Sequence, residues 1–371
     1  MFINALSLLN FRLHKNTALN FSEGLNYIIG GNGQGKTTIL EAVHYISTTK
    51  SFFANSEIET VNFKETLYEI KANVSDLIDD NIIIRYDVNE NRKQYKLNGK
   101  LVTSPAEIVG RYPVVLLSPR DSKITEESPQ DRRKFVDSII SQFSTAYFQS
   151  LLEYKRILRQ RGSLLFQIRE SYQQELFDEL KVWTDKLINT GTKLIKSRIQ
   201  FISEFKPYVE SAYAFMMEEI EIPDIQYQTI TEDLESEIES HFSALIDKES
   251  ENELRRATNL VGPHRDDFKF LLNEIDLKTF GSQGQHKTFQ VALRFAEYFY
   301  LRDKMNKPPF FLLDDVFGDL DRARGKKISE HLGDLGQAFV TLTDFTDISE
   351  LRMSGKDSVF IIKNGKVEYA N

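Results

Sequence analysis

One loop constrains this chain more than any other stretch. Gly30-Gly31-Asn32-Gly33-Gln34-Gly35-Lys36-Thr37 matches the spacing G-x-x-x-x-G-K-[ST]. Before it runs an apolar segment of strand character, 25–29. After it Ile39, Leu40, Val43 and Ile46 recur at helical spacing. The context matters as much as the letters. Glycines let consecutive backbone N–H groups curl around phosphate oxygens without Cβ clashes. The helix then starts where the phosphate charge lies, so its unpaired N–H groups and its dipole favour an anion there. Lys36 adds a cation for the β- and γ-phosphates, and the Thr37 hydroxyl is placed to bind Mg²⁺. Gly30, Gly31, Asn32, Gly33, Gln34, Gly35, Lys36, Thr37 and Thr38 are therefore the expected nucleotide contacts.

Such a loop needs a carboxylate for the metal at the end of a neighbouring strand. Phe310-Phe311-Leu312-Leu313-Asp314-Asp315 supplies one. Four apolar residues suit a strand covered on both faces in a parallel sheet. Two successive carboxylates at its end are costly to bury unless they act on something. Asp314 is the expected Mg²⁺ ligand, direct or through water, and Asp315 the expected general base towards the attacking water.

Between these motifs the texture changes. Residues 68–74 alternate apolar and polar, 82–88 form a second run of β character, and Asn98-Gly99 signals a type I′ hairpin turn. Residues 114–117 read as a short buried strand. From about 131 to 217 Gly and Pro almost vanish and Leu, Ile, Lys, Glu and Gln dominate, which predicts two or three long helices. The acidic stretch 218–239 reads as partly loop. Strand and loop texture resumes near 255, with strands expected at 268–272, 310–313, 339–342 and 359–362 and a turn at Asn364-Gly365. The expected organisation is an α/β nucleotide-binding domain formed from both ends of the chain, 1–118 and 255–371, with a helical arm domain, 119–254, inserted between.

A second glycine-punctuated loop, Phe280-Gly281-Ser282-Gln283-Gly284-Gln285, runs into an amphipathic segment (Phe289, Ala292, Phe295, Phe299). It could be a helix-capping loop. With the phosphate loop and the acidic strand in order around it, it reads instead as the second half of an ATP sandwich. In such a site one subunit supplies the phosphate loop. Another presents the Ser282 hydroxyl, the Gly284 N–H and Gln285 at a helix start to the γ-phosphate. Two-fold symmetry then gives two sites. On this reading Lys36, Asp315 and Ser282 carry the catalysis.

Composition bounds the partners. The formal net charge is −8, but residues 201–250 hold 13 acidic and 2 basic side chains, leaving 45 basic against 42 acidic elsewhere. Binding follows local fields. Arg132, Arg133 and Lys134 form one basic cluster, and Lys155, Arg156, Arg159 and Arg161 another; the ordinary reading of each is a solvated helix face. No apolar run approaches the roughly 18 residues of a bilayer span, so no membrane partner is expected. The amino terminus lacks the pattern of an export signal, and zero cysteines fit a reducing cytoplasm.

The motif order resembles the ABC-type ATPases of the SMC class. Residues 10–12 (NFR), GGNGQGKTTILEA, LLSPRD, SPQDRRKFVD, GPHRDD, FGSQGQHKT and FFLLDDVFGDLD together resemble the RecF family of bacterial recombination mediators. These motifs span nearly the whole chain. The resemblance implies an ATP- and Mg²⁺-dependent homodimer in the cytoplasm, at the nucleoid. It implies binding to DNA at gaps and single-strand/double-strand junctions, slow DNA-dependent ATP hydrolysis, and work with RecO- and RecR-type proteins to load RecA in recombinational repair and replication restart. It also implies that Arg12 contacts the nucleotide phosphates and that Asp319-Leu320-Asp321 lies across the dimer interface. Departures stand out. Asp315 replaces the usual glutamate, Asp121 is a weak substitute for the usual metal-ligand glutamine, and Phe53 stands where arginine is common. Thr343 lies near the usual place of a sensor histidine. A transporter subunit would carry a docking glutamine loop and a switch histidine, and neither is found. A long SMC protein needs far more heptads than this arm offers. An ATP-dependent scaffold that does not hydrolyse is the alternative.

Overall fold

A computed structural model describes residues 1–217, 221–230, 237–319, 322–333, 335–343 and 355–370. The chain forms two compact units, Met1–Asp121 with Ala212–Glu218 and Val291–Asn371, and Ser122–Ser211 with Glu219–Gln290.

The first unit holds two six-stranded sheets. One is antiparallel, in the order β2-β1-β4-β5-β6-β7. It comprises β1 (Phe2–Phe11), β2 (His14–Asn20), β4 (Leu67–Ser75), β5 (Asp80–Asp87), β6 (Arg92–Leu97) and β7 (Lys100–Leu101). Tyr68, Ile70, Ala72 and Val74 are buried along β4 as their alternation predicts. Asn98 and Gly99 turn the β6–β7 hairpin with φ of 50° and 79°. The other sheet runs β15-β14-β3-β13-β12-β8. Here β3 is Leu25–Ile29, β8 Val114–Leu117, β12 Phe310–Leu313, β13 Ala338–Leu342, β14 Ser358–Lys363 and β15 Lys366–Ala370. Its pairings are parallel from β8 to β14, and only the β14–β15 hairpin is antiparallel. Strand β3 is buried at every residue, and so is β12, as apolar runs in a covered parallel sheet should be.

Helix α1 (Lys36–Thr48) follows β3 directly. One apolar core joins Ile3, Leu6 and Leu8 of β1, Ile28 of β3, Ile39 and Val43 of α1, Leu312 of β12, Phe339 of β13 and Phe360 of β14. The phosphate loop is therefore anchored at both ends by elements rooted in one core. Helix α9 (Arg322–Leu332) completes the unit's described helices after α8 (Gln283–Met305), whose residues from Val291 onwards belong here.

The second unit contains α2 (Ser122–Glu126), α3 (Pro129–Phe143), α4 (Thr145–Glu170), most of α5 (Gln174–Met216), α6 (Ile238–Arg256) and the short α7 (Leu277–Phe280). The Gly- and Pro-poor stretch thus becomes three helices, α3 to α5. The division differs from the expected bounds: Ala212–Glu218 falls with the first unit, and residues 255–290 fall with the second. A three-stranded antiparallel sheet, β11-β10-β9, pairs β9 (Pro223–Gln228) with β10 (Asp267–Leu272), and β11 (Ile275–Asp276) follows. That pairing ties residues 255–290 to the helices rather than to the nucleotide-binding sheets. Strand β9 itself lies in the stretch read as partly loop, because Pro223 and the acidic flanks hide the buried Ile225.

Buried arginines organise this unit. The Arg198 guanidinium meets Asp137 at 2.9 Å and Asp266 at 3.3 Å and donates to the Pro263 carbonyl at 2.7 Å. Arg161 meets Glu253 at 2.6 Å and also donates to Asn259 and Thr184. Arg132 holds Asp267 through two N–H groups. Burial pushes the Asp266 carboxyl up to about 6, against the pull of Arg198. Asp137, His264, Asp266 and Asp267 of the SPQDRRKFVD and GPHRDD motifs are thus spent on packing this unit. His264 pairs with the Tyr154 hydroxyl at 2.9 Å, and burial holds its imidazole down at about 4.

Candidate functional site

The phosphate loop turns through two left-handed residues, Gly33 at φ 72° and Gly35 at φ 104°. Gly35 is the N-cap of α1 and makes no side-chain cap, so the first N–H groups of the helix are not taken by a capping side chain. That is the condition for an anion site at a helix start. The Lys36 ammonium donates to the Gly30 carbonyl at 2.6 Å and to Gly31 at 3.1 Å, which folds the side chain over the loop. Burial lowers its pKa, while Asp315 and Asp314 pull the other way. It stands poised as a cation whose present partners are weak carbonyl dipoles.

Thr37 and Asp314 come together from positions 277 apart in sequence. The Thr37 hydroxyl donates to Asp314 Oδ1 at 2.8 Å, and the Thr341 hydroxyl reaches the same oxygen at 3.0 Å. The cause is parallel pairing. Strand β13 lies between β3 and β12, so the ends of β3 and β12 open on one edge of the sheet. Burial raises the Asp314 pKa, and the hydrogen bonds from Thr37 and Thr341 oppose it. Asp315 sits at φ 51°, a left-handed conformation that Asp tolerates better than most residues. Its N–H donates to Thr341 Oγ1 at 2.8 Å. Thr341 therefore holds the Asp314 carboxylate and the Asp315 backbone.

Sequence reasoning pointed past Thr341 to Thr343, which lies just after β13. The signal was available: a threonine inside the otherwise apolar, wholly buried AFVTL strand must find a polar partner. A threonine and a carboxylate offering oxygen to one point suit Mg²⁺, which binds few protein oxygens alongside substrate phosphates. Among the described residues no group of three or more His, Cys, Asp or Glu is assembled to hold a metal.

Arg12 is held by Glu41, on α1 one turn beyond Thr37, through Nη2 at 2.8 Å and Nε at 3.0 Å. It also donates to the Glu59 carbonyl. The Ser51 hydroxyl donates to the same Glu41. Glu41 was not singled out in the sequence. The Arg120 guanidinium lies 4.0 Å from the Phe53 ring and donates to the Phe52 carbonyl, so a cation covers the position where Phe53 stands. Asp121 is engaged otherwise than by a metal. Arg294 binds its two oxygens at 2.6 and 3.1 Å, and the Ser118 N–H donates to it. Burial raises the Glu297 pKa to about 7 in the same cluster. Asp319 closes a short 3₁₀ turn, 317–319, and Leu320 and Asp321 lie outside the described residues.

In the second unit Ser282 and Gln285 form a reciprocal pair at the start of α8. The Gln285 N–H donates to Ser282 Oγ at 3.2 Å, and the Ser282 N–H donates to Gln285 Oε1 at 2.8 Å. Gln285 also donates to Glu221. The capping role weighed for this loop is real, and it is compatible with ligand binding. The cap uses the serine oxygen as an acceptor and leaves the hydroxyl proton to be donated. Gly284 is the second residue of the helix, among the N–H groups that have no partner within it.

A model of the RecF/RecN/SMC N-terminal domain family matches residues 2–354. The DNA replication and repair protein RecF of Chloroherpeton thalassium is 38% identical over 355 residues, covering 94% of this chain and 96% of that protein. That of Salinibacter ruber is 36% identical, covering 92% and 85%. A solved structure described as the recombination mediator protein RecF with ATP in the RecFOR pathway superimposes with a TM-score of 0.91 at 33% identity, covering 100% of this chain and 98% of that one. An SMC head domain from Pyrococcus furiosus shares the fold at a TM-score of 0.56 and 17% identity.

Proposed function

This chain belongs to the RecF family, and from that premise we propose that it is an ATP-gated DNA clamp of recombinational repair and replication restart. The observation that carries the reading is the 2.8 Å meeting of Thr37 and Asp314 beside Lys36, which joins the two halves of a nucleoside triphosphate site from opposite ends of the chain. ATP lies along Gly30–Thr38, with its charge on Lys36 and on the helix N–H groups. Thr37 and Asp314 hold Mg²⁺, which when bound offsets the negative charge of the phosphates. Arg12 adds a second cation once it exchanges Glu41 for phosphate oxygen. Asp315 accepts the proton of the attacking water; being one methylene shorter than glutamate it reaches less far, which suits slow turnover.

Ser282 and Gly284 of a second copy donate to the γ-phosphate, and Gln285 holds that serine in place. Only the closed dimer engages both loops, so ATP binding energy favours closure. The closed pair grips DNA at gaps or single-strand/double-strand junctions. RecO- and RecR-type partners then act there to load RecA, and hydrolysis releases the clamp. DNA affinity falls steeply with salt, since backbone contacts displace counterions.

Light scattering with ATP and Mg²⁺, with and without gapped DNA, tests this reading. A doubling of mass that is lost when Mg²⁺ is chelated is expected. A single-chain mass under saturating nucleotide and metal, with and without DNA, refutes the clamp. Phosphate release from the same samples separates a hydrolysing clamp from a scaffold that only binds.

A further inference from the structure

We propose that His14 is a positioning residue for nucleotide binding: together with Thr17 and the Asn364–Gly365 turn it holds the phosphate loop in its anion-cradling shape. The inference rests on the ATP site argued above, and it assigns work to residues that no motif contains.

The contacts form a closed ring. His14 Nε2 lies 3.0 Å from the Gly35 carbonyl, and Nδ1 lies 2.9 Å from Thr17 Oγ1. The Thr17 hydroxyl reaches the Gly365 carbonyl at 2.9 Å. The Gly365 N–H returns to the Gln34 carbonyl at 3.0 Å, and the Asn364 N–H meets Gln34 Oε1 at 2.6 Å. A carbonyl can only accept, so Nε2 carries a proton; in the neutral ring Nδ1 then accepts, and the single hydroxyl proton of Thr17 is shared in turn between Nδ1 and the Gly365 carbonyl. Burial holds the imidazole below its ordinary pKa, against the hydrogen bonds that raise it. His14 and Thr17 are buried polar side chains in a strand whose other polar residues, Lys15, Asn16 and Asn20, face solvent.

The ring fixes the direction of two peptide groups. In a planar trans peptide the C=O and the following N–H point opposite ways. Turning the Gln34 and Gly35 carbonyls towards the hairpin and His14 therefore turns the Gly35 and Lys36 N–H groups away from them, to the side where an anion is cradled. The space is closed as well. A Cβ on Gly35 would lie 2.8 Å from His14 Nε2, and one on Gly365, itself at φ 71°, would lie 2.6 Å from the Leu13 carbonyl oxygen. The Gln34 side chain thereby braces the loop against the hairpin through its Oε1.

The test compares His14→Ala, His14→Gln and Thr17→Val in the full-length protein. Affinity for a fluorescent ATP analogue with Mg²⁺ and steady-state KM and kcat are read alongside nucleotide-free melting curves. Glutamine places an amide nitrogen where ring Nε2 stands. His14→Ala is expected to weaken ATP binding by about tenfold, with KM rising and kcat holding, and His14→Gln to restore it to within about twofold. Thr17→Val, which keeps volume and removes the bridging hydroxyl, is expected to lose about threefold, and it decides the matter if His14→Ala does not fold. A folded His14→Ala protein with unchanged affinity, a His14→Gln protein as weak as the alanine variant, or a Thr17→Val protein with full affinity overturns the proposal. Failure of the unsubstituted protein to bind ATP would instead sink the site itself.

Discussion

The phosphate loop and the Ser282 loop are both short glycine-bearing turns in front of a helix, yet they are held by opposite means. The Ser282 loop is held mostly by its own residues, with one distant tie from Gln285 to Glu221. Ser282 and Gln285 cap each other across three residues, and just upstream Asp276 caps the Thr279 N–H at 2.8 Å. The phosphate loop has no side-chain cap of its own. It is held from far away in sequence, by His14, by Asp314 and by the turn at Asn364. A loop that must wrap a ligand cannot use its own N–H groups for self-satisfaction, so its stiffness has to come from outside. A loop that only adds two donors to a ligand already bound elsewhere can be held largely by its own residues.

The contrast yields a graded set of outcomes. Lys36→Ala removes the cation central to the loop and is expected to lower ATP affinity by more than about a hundredfold, roughly 2.7 kcal/mol, in a calorimetric titration. Binding within tenfold of the original would mean that the backbone alone supplies the site. Ser282→Arg is expected to leave ATP binding by the single chain intact while abolishing the ATP-dependent mass doubling. If the variant still dimerised, the second loop would have no part in closure. Gln34→Ala cuts the strut to Asn364 and is expected to cost about threefold in ATP affinity. Gln285→Ala loses a cap worth about 1 kcal/mol and is expected to lower the melting temperature by about 2 °C, with single-chain ATP affinity unchanged. Equal effects of these last two on nucleotide affinity would erase the distinction between the loops.

The same contrast explains what could be read from the letters alone. Thr37 with Asp314, and Ser282 with Gln285, are brought together as the motifs around them suggest, because those motifs rest on spacing within a few residues. The buried strands β3, β8 and β12 were legible too, since their apolar runs leave little choice. Thr341, Glu41, Arg294 and His14 were not found. Each contacts a neighbour that only the sheet order or a tertiary contact supplies, and even Glu41, which lies within the quoted GGNGQGKTTILEA stretch, shows its partner Arg12 only in the fold. Strand β9 was hidden for a related reason, since its pairing with β10 sets its structure against its own proline and acidic neighbours. GPHRDD, quoted only for its resemblance and given no chemistry, turns out to be structural: His264 and Asp266 are occupied in a buried network around Tyr154 and Arg198.

Strand β3, which launches the phosphate loop, is flanked by β13 and β14, both from the last tenth of the chain. Synthesis runs from the amino terminus, and domains that can fold early do so as they emerge. This one cannot. Strand β3 must wait, with no partner on either side, until residues 338–363 have left the ribosome. The sheet edge that carries the phosphate loop is therefore completed only once β13 and β14 have emerged, and a chain cut short before them would lack both neighbours of β3.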